Sequence, residues 1–403
     1  MPSFDLNMTP IQFPLLGNRI VVGVFSLLHI ALAGLSVGFM VLAPIFEFTS
    51  RWIPFNHDLA RAVTRFTVVV FSVSTVLAVI MVELMIGLFP ATTMWIWNRF
   101  RAPIGLGIAA FLLQLAALYP YYHFWDALRH RRPALHTALG IVAALLMLVW
   151  VAVLDGMGSS MLTPVESRTS WGYLWNQTWL PLMIHRLIGD LLIAGYAIAA
   201  YGAWRIGRVE DRAQRHYYSH LFTTGWKIGV TGLLLQPLTG LFYALSIQGS
   251  APAAYDQLVH GTYQLLLYLQ FSLIGLLFIG THALLRSSHR SVQWTWLDVA
   301  IPLTAVLMVL SIGHTNLRRS FLYVLAALLL WSLFIRKDEG QPAAPSLNRL
   351  FRPLAASLGI LSILVYLTMG TIRETARHPD TVRGVISLQD ELRHPVTDRA
   401  AIE

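Results

Sequence analysis

Apolar residues run along this chain in long blocks rather than in alternation. Ten blocks, at 19–46, 63–89, 102–125, 135–157, 181–204, 220–246, 259–284, 296–313, 320–336 and 353–372, are separated by short polar turns. Most exceed the ~20 apolar residues that cross a bilayer core. The pattern predicts an all-α, polytopic transmembrane helical bundle of about ten helices. It reads as one domain over 1–374, with 338–348 (DEGQPAAPSLN) a polar, proline-bearing turn and 375–403 a polar external tail. No short-period repeat interrupts it.

Composition strengthens that expectation. Hydrophobic residues make up 56% and charged residues 12%, too few to give a soluble fold its polar surface. The net charge of +9 does not imply nucleic acid, because the arginines sit in turns and alternate turns are rich and poor. The rich turns hold Arg51, Arg61 and Arg65; Arg129, Arg131 and Arg132; Arg205, Arg208, Arg212 and Arg215; Arg286 and Arg290; and Arg336, Lys337, Arg349 and Arg352. The positive-inside rule directs them to the cytoplasm and both termini outward, in a bacterial cytoplasmic membrane. There is no cysteine, which excludes disulfides, iron–sulfur clusters and covalent haem attachment within the chain. Residues 1–18 lack the features of a cleavable signal, so the first helix is expected to serve as the targeting signal.

Polar residues inside the blocks carry the candidate chemistry, since charge in hydrocarbon is costly and marks function by default. The first block carries His29, about 15 Å in from Arg19 at 1.5 Å per residue. The fifth opens with Pro181 and carries His185, Arg186 and Asp190; the seventh opens with His260; the tenth closes on RETARHP with Glu374 and Arg377. Under the topology above, His185, His260 and Glu374 converge on the outer leaflet, with His29 somewhat deeper. Imidazoles are the usual axial ligands of haem iron, and a carboxylate serves at a five-coordinate site. Nearby arginines suit haem propionates. Each also has a plain structural reading: a lone histidine bonding a carbonyl, Arg186 neutralising Asp190 four residues on, Glu374 pairing with Arg377. His282, His289, His314 and His378 lie at span ends, where a solvated histidine is expected, and His123, His130 and His136 are expected at headgroup level. The aromatic run at 171–179 (WGYLWNQTW) reads first as an interface belt. Glu83 and Lys227 read as buried charges, Glu83 either in a proton path or as a protonated residue bonded between helices, Lys227 snorkelling.

These residues, in this order, resemble subunit I of the cytochrome bd quinol oxidases. The opening helix NRIVVGVFSLLHIALAGLSVGF is similar to that family's helix with a haem-ligating histidine, placing His29 there. Glu83 stands where the family has a buried glutamate, and Trp125 and Asp126 match its Trp-Asp pair. MIHRLIGDLLIAGYAIAAYGAWRIGR resembles the helix that supplies a low-spin haem b histidine, here His185. ETARHP resembles the signature whose glutamate binds a high-spin haem b, implying that role for Glu374 with Arg377. The departures are specific. Gln114 stands where the family has a second third-helix glutamate, and an amide does not shuttle a proton as a carboxylate does. The external loop between the sixth and seventh blocks shrinks to about a dozen residues (QGSAPAAYDQLV). His260 stands within about one position of the family's methionine ligand, and two extra spans precede ETARHP.

The resemblance implies two or three b haems, with haem d an option at one site: a low-spin haem between His185 and His260, and a second site using His29 and Glu374. The expected activity is that of a membrane cytochrome b of bd-oxidase type, oxidising membrane quinol and passing electrons through haem to dioxygen if the second site keeps an open position. Expected partners are quinol and either a second membrane subunit or an external c-type cytochrome. The alternatives are a quinol–c-type cytochrome relay without oxygen reduction, and a haem-free transporter or membrane anchor.

Overall fold

The chain's computed structural model describes residues 10–287, 295–311, 313–337 and 351–393. The expected turn at 338–348, His289, Arg290, Arg349 and the last part of the tail, 394–403, lie outside the described residues. The protein is an all-α, multi-pass helical membrane protein. Among the described residues, nine helices are long and apolar enough to cross a membrane. The tenth expected block is α10 (Leu297–Leu310), whose 14 residues reach about 21 Å, short of a ~30 Å hydrocarbon core.

The chain divides into two compact units. The first comprises residues 1–184, 242–257 and 373–403. It contains α1 (Asn18–Thr49), α2 (Phe55–Leu88), α3 (Pro90–His123), the short α4 (Trp125–Arg131) and α5 (Pro133–Leu162). Helix α1 packs on α2 and α5, and α3 packs on α5. Close approach is built in: a Cβ at Gly140 of α5 would fall 2.8 Å from the Tyr121 ring of α3 and 3.2 Å from Pro44 of α1. Helix α3 kinks at Phe100 (φ −112°, ψ 22°). Pro103 is the cause, because it lacks an N–H for the Arg99 carbonyl and its ring crowds that oxygen. Outward faces are apolar, as lipid requires: Val69, Val73, Val76 and Val79 of α2 are all exposed.

The tail is folded as far as it is described. After α12 (Phe351–Thr375), strands β1 (Asp380–Val382) and β2 (Ile386–Ser387) pair antiparallel, and α13 (Leu388–Arg393) follows. Gly384 makes the tight turn between them at φ +67°, where a side chain would be strained. Val382 and Ile386 are buried with Trp95, Phe100 and Leu174. Glu391 is 1% exposed, and its carboxylate accepts hydrogen bonds from the Thr92 N–H at 3.1 Å and the Thr92 hydroxyl at 3.0 Å, capping the first turn of α3. The polar composition of 375–403 predicted an external tail; Val382 and Ile386 pack part of it into the first unit instead.

The second unit comprises residues 185–241 and 258–372. It holds most of α6 (Trp179–Ile206) and α7 (Arg212–Ser250), the end of α8 (Pro252–His260), α9 (Gln264–Ser287), α10, α11 (Thr315–Lys337) and most of α12. Helices α6 and α7 meet backbone to backbone, since a Cβ at Gly195 would fall 2.4 Å from the Gly229 nitrogen and 2.9 Å from the Gly225 oxygen. Small residues at such crossings let membrane helices gain dispersion contact where no hydrophobic force separates them from lipid. Helices α9, α10 and α11 form a second packed group. His282 of α9 pins it, bonding Ser332 of α11 at 3.0 Å and Asp298 of α10 at 3.0 Å. His282 is therefore buried, not solvated as its place near a span end suggested.

Candidate functional site

In the second unit, His185 lies less than two turns into α6, half-buried. Its Nδ1 forms a 3.1 Å hydrogen bond with the Thr239 hydroxyl of α7, and the Gln236 amide, one turn earlier on α7, donates to the His185 carbonyl at 2.9 Å. Gly240 follows Thr239, and a Cβ there would sit 3.2 Å from the imidazole Cε1. The missing side chain leaves the ring its place against α7. One turn further along α6, Asp190 is fully buried. Tyr366 of α12 donates to it at 2.5 Å, and the Arg186 Nε lies 3.9 Å from its other oxygen. A buried carboxylate needs such partners, because removal from water costs several kcal/mol per ion. Arg186 and Asp190 thus do face each other, with Tyr366 as a third member 176 residues away from Asp190.

His260 is placed differently from its sequence expectation. It is the exposed last residue of the short α8, and the spanning helix α9 begins at Gln264. Proline at 252 starts α8, since its fixed φ suits a first turn, and Gly261 breaks the helix immediately after His260. The expected loop after the sixth block is therefore largely helical. His185 and His260 belong to the same unit, on separate elements.

In the first unit, His29 is half-buried in α1, its Nδ1 3.0 Å from the Ser74 carbonyl and 3.2 Å from the Ser74 hydroxyl of α2. Glu374 closes α12 and is hydrogen-bonded by Arg377, whose other terminal nitrogen donates to the Thr381 carbonyl at 2.8 Å. Arg19, in the first turn of α1, and Arg373 both act electrostatically on Glu374. The end of α12 thus lies near the start of α1, as a shared site with His29 requires. The Glu374–Arg377 pair is also the ordinary helix-end arrangement; it engages one carboxylate oxygen of Glu374. Around it stand residues that sequence reasoning passed over. Asp155 of α5 is 1% exposed, Tyr243 lies within electrostatic reach of Asp155, Arg373 and Arg377, and the Arg373 guanidinium covers Gly158. Asp155 carried a visible signal, a carboxylate inside an apolar block. Thr239, Gly240 and Tyr366 carried none, because their partners come from other helices.

One candidate stands otherwise than expected. Glu83 is exposed on the outward face of α2 beside Val79 and Val82, not buried between helices. Lys227 is exposed on α7, which is compatible with the snorkelling reading. Apolar neighbours along a block imply burial in the membrane, but which face meets protein is set by the neighbouring helices. Gln114 is fully buried in α3, and among the described residues neither end of its amide finds a hydrogen-bond partner. Of the remaining histidines, His123, His130 and His314 are exposed as expected, whereas His136 is completely buried. Its Nδ1 bonds Glu47 at 2.7 Å and its Nε2 the Tyr121 carbonyl at 3.0 Å.

The donor set fits haem. An imidazole held at Nδ1 is the arrangement that orients a histidine for ligation through its other nitrogen. Arg186, one residue on, is a guanidinium of the kind that suits a haem propionate. Among the described residues no three histidine or carboxylate groups cluster as a metal-ion cage. Axial haem ligation needs no such cage.

Comparison with family models and with curated proteins gives no match to this sequence. The fold does have a counterpart among solved structures. The bd oxidase from Geobacillus thermodenitrificans superposes with a TM-score of 0.64, covering 91% of this chain and 88% of that one at 16% identity. The chain is similar in fold to that bd oxidase along nearly its whole length.

Proposed function

We propose that this protein is a haem b subunit of a bd-type membrane oxidoreductase, oxidising quinol in a bacterial cytoplasmic membrane, with its N-terminus outside and the arginine-rich turns from 51–65 to 286–290 in the cytoplasm. The observation that carries this is His185, held by Thr239 and flanked by Gly240 in a chain whose fold follows a bd oxidase over 91% of its length. His185 and His260 would hold a low-spin haem, with Arg186 toward a propionate. His29 and Glu374, with Arg377 and Arg373 nearby, would hold a second haem or haem pair. When bound, haem supplies reversible one-electron redox chemistry; the chain's part is to hold and tune it. Thr239 fixes the ring of His185. Asp190, bonded by Tyr366 and neighboured by Arg186, sets the local field. Quinol and either a second membrane subunit or an external c-type cytochrome are the proposed partners.

The first experiment is a pyridine haemochrome spectrum of the purified full-length protein, expected to show b haem at one or more per chain. Absence of haem leaves only the transporter or anchor reading. Gln114 favours a second reading, a quinol–cytochrome relay without oxygen reduction, because its buried amide stands where a proton-carrying carboxylate is expected. Oxygen consumption with reduced quinol separates the two: sustained turnover supports the oxidase, and haem reduction without turnover supports the relay.

A further inference from the structure

The first unit has an end that the haem reading does not use. The close of α1, the start of α2, the end of α3, all of α4 and the start of α5 meet there, and the segments 45–66 and 120–137 bring six arginines against three carboxylates. Each carboxylate is already engaged. Glu47 accepts from His136 and Thr137 and lies 3.5 Å from Arg129; Asp126 takes Arg61 at 2.6 Å; Asp58 takes His57 at 2.9 Å. Positive charge is left over. Beside it a groove of about 570 Å³ opens between α1 and α5. Its polar end is formed by Arg51, Arg129, Ser50 and Thr137, and its walls by Phe48, Ala134, Ala138 and Ile141. From Pro133 to Ile141 it follows α5 for about 12 Å down from that end. The Arg51 guanidinium lies over the Phe48 ring, 4.0 Å from its centroid, which holds it at the mouth, and among the described residues it has no acidic partner.

We propose that this groove is a binding site for an anionic phospholipid. Its phosphate would lie between the guanidinium groups of Arg51 and Arg129, whose N–H groups are the donors. One acyl chain would lie along Phe48, Ala138 and Ile141. Charge complementarity selects the occupant. Guanidinium forks match phosphate oxygens, and basic pockets between helices at headgroup level are where such lipids are held. Glu47, although it lines the groove, does not oppose this, because His136, Thr137 and Arg129 hold its charge. A neutral quinone would offer only carbonyl acceptors and leave the surplus cationic charge unanswered. The site stands apart from the haem proposal, since none of its residues is a candidate ligand.

Native mass spectrometry of the delipidated full-length protein, titrated with phosphatidylglycerol and with phosphatidylcholine of the same chains, tests it. One tightly retained phosphatidylglycerol and markedly weaker phosphatidylcholine are expected. Arg51→Gln and Arg129→Gln should each weaken retention about fivefold. Ala138→Trp, which fills the groove and leaves every charge in place, should weaken it as much. Among the described residues Arg51 makes no ion pair, so Arg51→Gln keeps the test valid even if Arg129→Gln loses its contacts to Glu47 and Ser50. Equal retention of the two lipids, or retention unchanged in both Arg51→Gln and Ala138→Trp, overturns the proposal. So does glycerol phosphate binding as tightly as the whole lipid, which makes it a phosphate pocket, or displacement of phosphatidylglycerol by a short-chain quinone, which makes it a quinone site.

Discussion

His136 and His185 are both imidazoles in apolar helices, and the structure treats them oppositely. His136 has no exposed surface and both of its ring nitrogens are committed, one to Glu47 and one to the Tyr121 carbonyl. His282 repeats that pattern between Ser332 and Asp298. His185 and His29, by contrast, are half-buried, and each is steadied at Nδ1 by a residue of a neighbouring helix, Thr239 or Ser74. The neighbours separate the two kinds: a carboxylate binds a ring nitrogen of His136 and of His282, whereas at Nδ1 His185 meets the Thr239 hydroxyl and His29 the Ser74 carbonyl and hydroxyl.

The largest effect should come from breaking the consumed kind. Glu47→Ala leaves His136, Thr137 and Arg129 without their acceptor and should cost about 3–5 kcal/mol, as removing one member of a buried ion pair does. Thermal unfolding in detergent should show a large fall in midpoint, and a midpoint near wild type would mean the pair is not structural. Next, His185→Ala should remove the low-spin b spectrum while the protein stays inserted and helical. His282→Ala should leave any haem spectrum unchanged and cost about 1–3 kcal/mol through the unmet partners Ser332 and Asp298. If His282→Ala were the variant that lost the spectrum, the contrast between the two kinds of histidine would collapse.

Gly240→Val probes the room beside His185. Its side chain would meet the imidazole, so a cost of about 1–3 kcal/mol is expected together with a shifted haem spectrum; a stable variant with wild-type absorbance would remove Gly240 from the site. The smallest effect concerns Glu391, whose carboxyl is pushed up from its ordinary value of 4.5 by burial against α3. A carboxyl with a raised folded pKa contributes stability that is fully present below the unfolded value and lost as pH rises through the folded one. Hydrogen exchange over 381–391 should therefore speed up, beyond its intrinsic pH dependence, on going from about pH 4.5 toward neutrality. Glu391→Gln should abolish the extra change. An equal response in the variant would remove Glu391 as the cause.

Much of this protein was determined by its sequence alone. Blocks such as 19–46 and 135–157 must be helices in a membrane because of their length and lack of charge, and His29, His185 and Glu374 stand out because polar groups in hydrocarbon are costly. Tertiary structure decided what length and polarity cannot. It turned Glu83 outward and His136 and His282 inward, since a helix's own sequence does not say which face its neighbours will cover. It folded 376–393 against α3, because Val382, Ile386 and Glu391 find their partners about 290 residues away, as the separation of 289 between Thr92 and Thr381 shows. It joined Asp190 to Tyr366 and His185 to Thr239 and Gly240, contacts that arise only when α6, α7 and α12 pack. The physical reason is the same throughout: solvation is a local property of each segment, whereas the identity of a buried group's partner is a property of the packed bundle.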